Sequence, residues 1–501
     1  MEDESPEGPA SSLAALKESL SINRKGRDML DTHPLLASDT QTAIPVHPLF
    51  EAELEAFLAG RRPAARALAE LNKFAAKAGQ VLVLTGPGGQ VERVLMGLGS
   101  RTTVDPGLFR GLAAKLPAGD YKLARLPRGL DATEATLAFA MGLYRFDRYR
   151  KHAHETGPRL VAPKGVDVEA VIAVSHACAL AKDMVNTPAN DMGPLQIETI
   201  AREIAEKHGA EISVIIGDDL LEQNYPAVHA VGRAAVPHRA PRMIEISWGD
   251  PSHPLLVLVG KGVVFDTGGL DIKPSSGMRI MKKDMGGAAH ALALARMVMG
   301  AKLPVRLVVL TPVVENAISG DAMRPGDVLQ TRAGLTIEVG NTDAEGRLIL
   351  ADALARAAEL KPVLTLDLAT LTGAARVAMG PFVIPFWTDD DRLADQIEAA
   401  SRATFDPLWR LPLWDGYREA VESDIADLKN DPDGWAQAGA TTAALFLEKF
   451  APPSLQDGGS GSWAHFDVYA WNPKTRPGYP TGGEAQAIRA LFSMLKTRFP
   501  A

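Results

Sequence analysis

LTIEVGNTDAEGRL, Leu335 to Leu348, passes from a β-like run into a helical pattern through a turn that carries two carboxylates and a guanidinium. Gly340 follows the run Leu335-Thr336-Ile337-Glu338-Val339, and Leu348, Ala351, Leu354 and Ala355 recur at helical spacing. Asp343, Glu345 and Arg347 are therefore expected on a strand-to-helix turn. In an open α/β sheet, turns beyond the carboxyl ends of strands form the crevice where ligands bind, and a helix N-terminus adds partial positive charge. Few core-packing needs call for so many charges there, whereas carboxylates in such a place can converge on a cation.

About sixty residues earlier the same pattern recurs in VGKGVVFDTGGLDIKPSSGM, Val259 to Met278, followed by KKDMGGAA, Lys282 to Ala289. The apolar, β-favouring runs Leu255–Val259 and Val263–Phe265 each deliver a charge at or just past their end, Lys261 and then Asp266. Asp284 precedes a Gly-Gly that opens an alanine-rich helical pattern. Asp266, Asp284, Asp343 and Glu345 are thus four oxygen ligands, interleaved with Lys261, Lys273 and Arg347. Packed carboxylates need a counter-charge, or their pKa values rise and one takes up a proton. Two metal ions about 3.5 to 4 Å apart let a hydrolase bind an attacking water and polarise an oxygen together. The pattern points to metal-assisted hydrolysis.

These two segments closely resemble the signature segments of the leucyl (cytosol) aminopeptidase family, whose hallmark is NTDAEGRL. The resemblance extends, in order, to Val185–Asn190, Arg324–Val328, Ala369–Ala374, Arg410–Trp414 and Trp463–Asp467, across roughly the last two-thirds of the chain. It implies a dinuclear zinc or manganese aminopeptidase that uses two-metal activation of a bridging water to release N-terminal, Leu-like residues from short peptides, with broad selectivity. Asp266 and Glu345 would bridge both metals, Lys261 and Asp284 would complete one site, and Asp343 the other. Lys273 would polarise the scissile carbonyl, and Arg347 would hold a bicarbonate as general base. Met281, Thr370 and Gly373 would line the pocket for the N-terminal side chain, and a homohexamer would be the assembly. After Asp467 the chain departs from the family, with Tyr469 where a small residue is usual.

Elementary chemistry supports several of these roles. A metal-bound water loses a proton near neutrality instead of at a pKa of about 15.7. The fork of an arginine suits a two-oxygen anion. Zinc and manganese both accept a mixed oxygen and nitrogen set. A lysine ligand must first lose its proton, so the role of Lys261 rests on resemblance alone.

Each segment also has a plainer reading. Glu345 and Arg347 could be a charged first helical turn, Asp266-Thr267-Gly268-Gly269 an Asx-type turn, and Lys282-Lys283-Asp284 a solvated face. Each is favoured in isolation, and the combination reverses the odds. Gly260-Lys261-Gly262 is no phosphate loop, because Leu255 stands where a glycine is required and no Ser or Thr follows the lysine. His290 and His465 lack partners at metal spacing and read as structural. A dinuclear phosphoesterase would use the same carboxylates but usually adds histidines.

The chain has 501 residues, 46% of them apolar, enough for two domains with sizeable cores. Its 53 basic and 61 acidic residues give a net charge of −8, with no footprint for nucleic acid or an anionic membrane surface. That weighs against the rival reading, a macromolecule-binding (for example DNA-binding) protein with secondary peptidase activity. A single cysteine, Cys178, excludes an internal disulfide, no apolar run is long enough to span a membrane, and the cytoplasm is the expected location.

The expected organisation is a flexible extension over residues 1–45 with a helix-like piece at Ser12–Leu20, a small N-terminal α/β domain over 46–155, a connection over 156–166 and a catalytic domain over 167–501. Helix candidates in the small domain are Phe50–Leu58 and Ala132–Tyr144, and Gly86-Pro87-Gly88-Gly89 reads as a hairpin turn. In the larger domain, continuous apolar runs such as Val305–Val314 and Val363–Leu368 predict a mostly parallel, mixed sheet covered by helices on both faces.

Overall fold

The computed structural model describes residues 35–36, 42–100, 103–151, 157–432, 437–453, 459 and 461–500. Most of the expected extension, with Ser12–Leu20, lies outside them. The chain divides after Ile172 into two compact units.

In the first unit, strands β1 (Leu35–Leu36), β2 (Ile44–Phe50), β3 (Val81–Thr85), β4 (Val91–Gly99), β5 (Gly119–Leu123) and β6 (Pro158–Val161) form one sheet in the order β1-β6-β5-β2-β4-β3. All pairs are parallel except β3 with β4, the hairpin whose turn holds Gly86 to Gly89. Helices α1 (Leu54–Ala59) and α2 (Pro63–Leu71) supply Leu54, Leu58 and Ala69 to a core shared with Leu82, Leu84 and Leu95. Between the strands also lie α3 (Gly107–Ala113) and α4 (Ala132–Gly142), the latter capped by Asp131, which accepts a hydrogen bond from the Glu134 amide. The helix expected from Phe50 starts as a 3-10 turn, Glu51–Glu53, before α1. The stretch expected as a connection contains β6, so the sheet runs on into it; two residues of pairing with β1 and four with β5 hold it there.

The division falls within α5 (Val168–Asn186). Beyond it come α6 (Pro194–His208), β7 (Glu211–Ile216), α7 (Pro226–Gly232), β8 (Arg242–Trp248), β9 (Leu255–Gly260), β10 (Gly262–Asp266), α8 (Gly286–Gly300) and β11 (Arg306–Asn316). Then follow β12 (Val328–Gln330), β13 (Thr336–Glu338), α9 (Glu345–Glu359), β14 (Leu364–Ala369), α10 (Gly373–Met379), β15 (Ile384–Trp387), α11 (Asp391–Thr404) and β16 (Leu408–Arg410). The unit ends with β17 (Leu428–Lys429), α12 (Gly439–Glu448), β18 (Ser462–Asp467) and α13 (Ile488–Arg498).

Its main sheet has nine strands, in the order β16-β15-β18-β14-β9-β11-β8-β7 with β10 also on β11. The centre, β18-β14-β9-β11, is parallel, and antiparallel pairs β15/β18, β11/β8 and β8/β7 lie outside it. Every residue of β14 is buried, as a strand covered on both faces must be. The two coverings can be read from β9 alone. Side chains alternate along a strand, and Val257 and Val259 join the core built by α7, α9 and α12. On the other face Gly260 meets α8 so closely that a Cβ there would lie 2.7 Å from the Ala288 Cα.

One expectation is corrected. The run Leu335–Val339 does not enter the main sheet. Its strand, β13, pairs with β12 and β17 in a separate three-stranded sheet. The octapeptide turn still reaches the main sheet's carboxyl edge, because side-chain hydrogen bonds carry it there.

Candidate active site

Four parallel strands end at one edge and each hands over a polar group: β9 Lys261, β10 Asp266, β14 Thr370 and β18 Asp467. The Asp266 Oδ1 accepts from the Gly268 amide at 2.9 Å and from Asn316 Nδ2 at 2.8 Å. The Asx-type turn is therefore real, and the same carboxylate also serves the cluster. Thr342 Oγ1 donates to the Gly268 carbonyl at 2.6 Å, and the Thr342 amide donates to Asp271 Oδ2 at 2.8 Å. These bonds lay the loop after β10 against the octapeptide. Asn430 fixes the octapeptide's other side: its Oδ1 accepts from the Gly340 and Asn341 amides and its Nδ2 donates to the Asn341 carbonyl at 2.7 Å.

The result brings oxygens of Asp266, Asp343 and Glu345 within 4.8 Å of one another. Asp284 joins through Lys261, whose Nζ lies 2.8 Å from Asp284 Oδ2 and 3.0 Å from Glu345 Oε1 and donates to the Thr370 carbonyl at 2.9 Å. Lys273 Nζ pairs with Asp266 Oδ2 at 2.8 Å and with Asp343 Oδ1. Lys261 is almost wholly enclosed, with 3% of its side chain exposed, whereas Lys273 at 13% sits nearer the mouth.

Electrostatics shows that the cluster is short of positive charge. Burial, with Asp266 adding repulsion, pushes Asp343 up to about 6, against the opposing pull of Lys273. Burial and then Asp266 push Glu345 well above the carboxylate range. Lys261 shows the converse: burial lowers it, and Asp284, Glu345 and Asp266 together hold it above its ordinary value. Among the described residues, Asp284 Oδ2, Asp343 Oδ1 and Glu345 Oε1 are buried without an aligned hydrogen-bond donor. Among the same residues their only paired counter-charges are the two lysine ammoniums, and four carboxylates sharing two cations fit a site for further positive charge.

Arg347, in the first turn of α9, is 7% exposed and its Nη1 has no hydrogen-bond partner; it forms no ion pair among the described residues. Its guanidinium lies 5.9 Å from the centre of the Phe446 ring. An enclosed, unpartnered fork beside a helix N-terminus suits an anion.

Met281 opens the 3-10 segment Met281–Met285, which carries Asp284. Thr370 Oγ1 donates to Asp284 at both its carbonyl, 3.0 Å, and its Oδ1, 2.9 Å. Gly373 starts α10 with open space where its side chain would be. Lys283 and Asp284 are buried, which removes the solvated-face reading. The two histidines stay structural: His290 Nδ1 contacts the Gly286 carbonyl and its Nε2 accepts from the Gln486 amide, while His465 Nδ1 pairs with Asp367. Sequence reading passed over Asn316 and Asn430. Asn316 ends the continuous apolar strand β11, and a polar side chain at the end of a buried strand is the signal that could have found it. Asn430 offers no such local signal.

Comparison with known proteins agrees with this geometry. Residues 179–492 match the cytosol aminopeptidase family, catalytic domain, and residues 44–163 match the M17 aminopeptidase, N-terminal domain. The chain belongs to the cytosol aminopeptidase family. It is accordingly a hydrolase, a metal-dependent exopeptidase. A "Probable cytosol aminopeptidase" of Syntrophotalea carbinolica is 38% identical over 455 residues, 84% of this chain and 89% of the relative. The crystal structure of the cytosol aminopeptidase from Coxiella burnetii superposes with a TM-score of 0.87 at 44% identity, covering 93% of this chain and 100% of that one. A bottromycin maturation enzyme, BotP, solved in complex with Mn, gives 0.81 at 33% identity over 91% of this chain and 99% of its own. Among the described residues, no helix of this chain is long and apolar enough to cross a membrane.

Proposed function

We propose that the chain releases the N-terminal residue of short peptides with two divalent cations, zinc or manganese, held by Lys261, Asp266, Asp284, Asp343 and Glu345. The observation that carries this is the convergence of three carboxylates within 4.8 Å, Asp266 and Glu345 buried and Asp343 half-buried, with Asp343 and Glu345 both pushed up by burial and by Asp266. The solved relative in complex with Mn supports the metal class. When bound, the cations would supply an acidified water and an electrophile at neutral pH, and a bicarbonate at Arg347 would supply a general base.

The chain's own residues do the rest. Asp266 is held by the Gly268 amide and the Asn316 side chain, which aim its second oxygen at the cluster. Lys273, the more exposed ammonium, presents positive charge to the oxygen of the substrate's scissile carbonyl and favours the charge that grows there. Arg347 Nη1 has no hydrogen-bond partner among the described residues, which leaves the fork able to orient the bicarbonate. Lys261 pairs with both Asp284 and Glu345 in the protein without metal and so offsets only part of their charge; to act as a ligand it would give up its proton. Family likeness supports a homohexamer and a cytoplasmic location.

The test is release of p-nitroaniline from aminoacyl-p-nitroanilides after chelation and refilling with zinc or manganese, with metal content measured in parallel. Refilling is expected to restore cleavage and to bind two ions per chain. Lys273→Ala and Arg347→Ala are each expected to lower kcat by about 100-fold or more while retaining the ions. Light scattering on the same protein is expected to give six times the mass of one chain. Cleavage indifferent to chelation, or no cleavage with either metal, would sink the reading.

A further inference from the structure

We propose that the pocket for the N-terminal side chain also accepts acidic residues, with Lys283 as the determinant and Arg376 at its rim. This rests on the reading above that Met281, Thr370 and Gly373 line that pocket.

Three pieces of chain converge there. The 3-10 segment that begins with Met281 carries Lys283. Thr370 ties that segment to the end of β14 through its two hydrogen bonds to Asp284, and the chain then runs through Gly373 into α10, which carries Arg376. The end of β18 leads to Tyr469, held beside β14 by the Val468 amide, which donates to the Ala369 carbonyl at 2.8 Å. Tyr469 is the meeting point. Lys283 Nζ lies 5.2 Å from the centre of its ring and the Arg376 guanidinium 5.6 Å from it.

What sets this apart from an ordinary basic patch is that no carboxylate of a described residue touches Lys283; Asp284 and Asp467 act on it only through space. Lys283 is only 7% exposed, and its ammonium makes no ion pair and no hydrogen bond with any described residue. Its neighbour Lys282 is satisfied: it donates to the Asn186 carbonyl at 2.5 Å and lies 5.8 Å from the centre of the Trp471 ring. Arg376 is exposed on α10 and likewise forms no ion pair among the described residues. A cation largely removed from water with no carboxylate in contact is costly, and the face of one tyrosine offsets only part of that cost. Gly373 adds no side chain to the pocket wall, and a Cβ there would meet open space. A carboxylate on the substrate's first side chain would supply the missing charge. Glutamine and asparagine have the same shape without it, so they isolate the charge from the fit.

The experiment compares kcat/KM for glutamyl and aspartyl p-nitroanilides with their glutaminyl and asparaginyl isosteres, and with the leucyl compound, on the metal-loaded full chain. The acidic substrates are expected to exceed their neutral isosteres by about tenfold or more. Lys283→Met is expected to bring that ratio towards one, and Lys283→Arg to restore it. Should Lys283→Met not fold, inhibition of leucyl cleavage by free L-glutamate against free L-glutamine gives the same comparison on the unaltered protein. Leucyl cleavage with an acidic-to-neutral ratio of one or less overturns this proposal and leaves the peptidase reading standing. No residue released under either metal overturns both.

Discussion

Gly346 stands between Glu345 and Arg347, and its lack of a side chain is what lets Lys261 reach into the cluster. A Cβ at Gly346 would lie 2.4 Å from Lys261 Cε and 2.6 Å from Nζ. Helix geometry tolerates alanine there, so the fold should survive and the lysine should move. Gly346→Ala is therefore expected to lower kcat/KM by about 100-fold, because an ångström of misplacement in a reacting site costs about that much. Circular dichroism should stay unchanged while metal content drops; full activity would show that the lysine's place is immaterial. At this scale the charged members of the candidate site were legible only together, since each short motif alone has a plainer use as a charged helix turn, an Asx-type turn or a solvated face. The residues that aim them were not. Asn430 acts on the octapeptide from about ninety positions away, and no periodicity or spacing reports a contact of that range. Lys283 was misleading for the opposite reason: a Lys-Lys-Asp run looks like a solvated face until tertiary packing buries it.

The first turn of α9 carries Glu345 and Arg347, so the position of that helix is a property of the site. Asp352, fully buried two turns on, anchors it. Its Oδ2 accepts from the Ala227 and Val228 amides at 2.8 and 3.2 Å, and its Oδ1 accepts from the Arg332 amide at 2.8 Å. It thereby caps α7 from another helix, where the first-turn amides would otherwise lack partners. Asp352→Ala would strand three N–H groups, at about 1 to 3 kcal/mol each before any relaxation. Denaturant unfolding is expected to show a loss of about 3 kcal/mol or more, and Asp352→Asn, which keeps one acceptor, a smaller one; equal stability for all three proteins would refute the capping role. The elements that were easiest to foresee, β9, β11 and β14, are rich in Leu and Val, and even their internal polar residues Thr311, Thr365 and Asp367 are fully buried. β13 misled because a short β-like run says that a strand exists and nothing about which sheet it joins. β6 was hidden by Gly157-Pro158, a turn signal whose proline here opens the strand.

For the whole molecule, the proposed site lies where β9, β10 and β14 end together, and only the folded chain brings Asp266, Asp343 and Glu345 within 4.8 Å of one another. An unfolded chain has no such site, so bound metal must stabilise the fold by mass action, by about 4 kcal/mol when free cation exceeds its dissociation constant a thousandfold. The effect should be confined to one unit. The N-terminal unit has a core of its own, Leu49, Leu54, Leu58, Leu82, Leu84 and Leu95 among others, and none of the proposed ligands. Calorimetry is expected to show chelation moving the melting of the catalytic unit down by several degrees while that of the N-terminal unit stays in place. Asp343→Asn together with Glu345→Gln should remove the sensitivity to chelation, because amides replace the carboxylates that repel one another in the empty site. Those substitutions should also raise the melting temperature of the chelated protein above that of the chelated parent, since burial and Asp266 already push both carboxyls up. A chelated double variant less stable than its chelated parent would mean that the lysines alone neutralise the cluster, and that the strain inferred from it is absent.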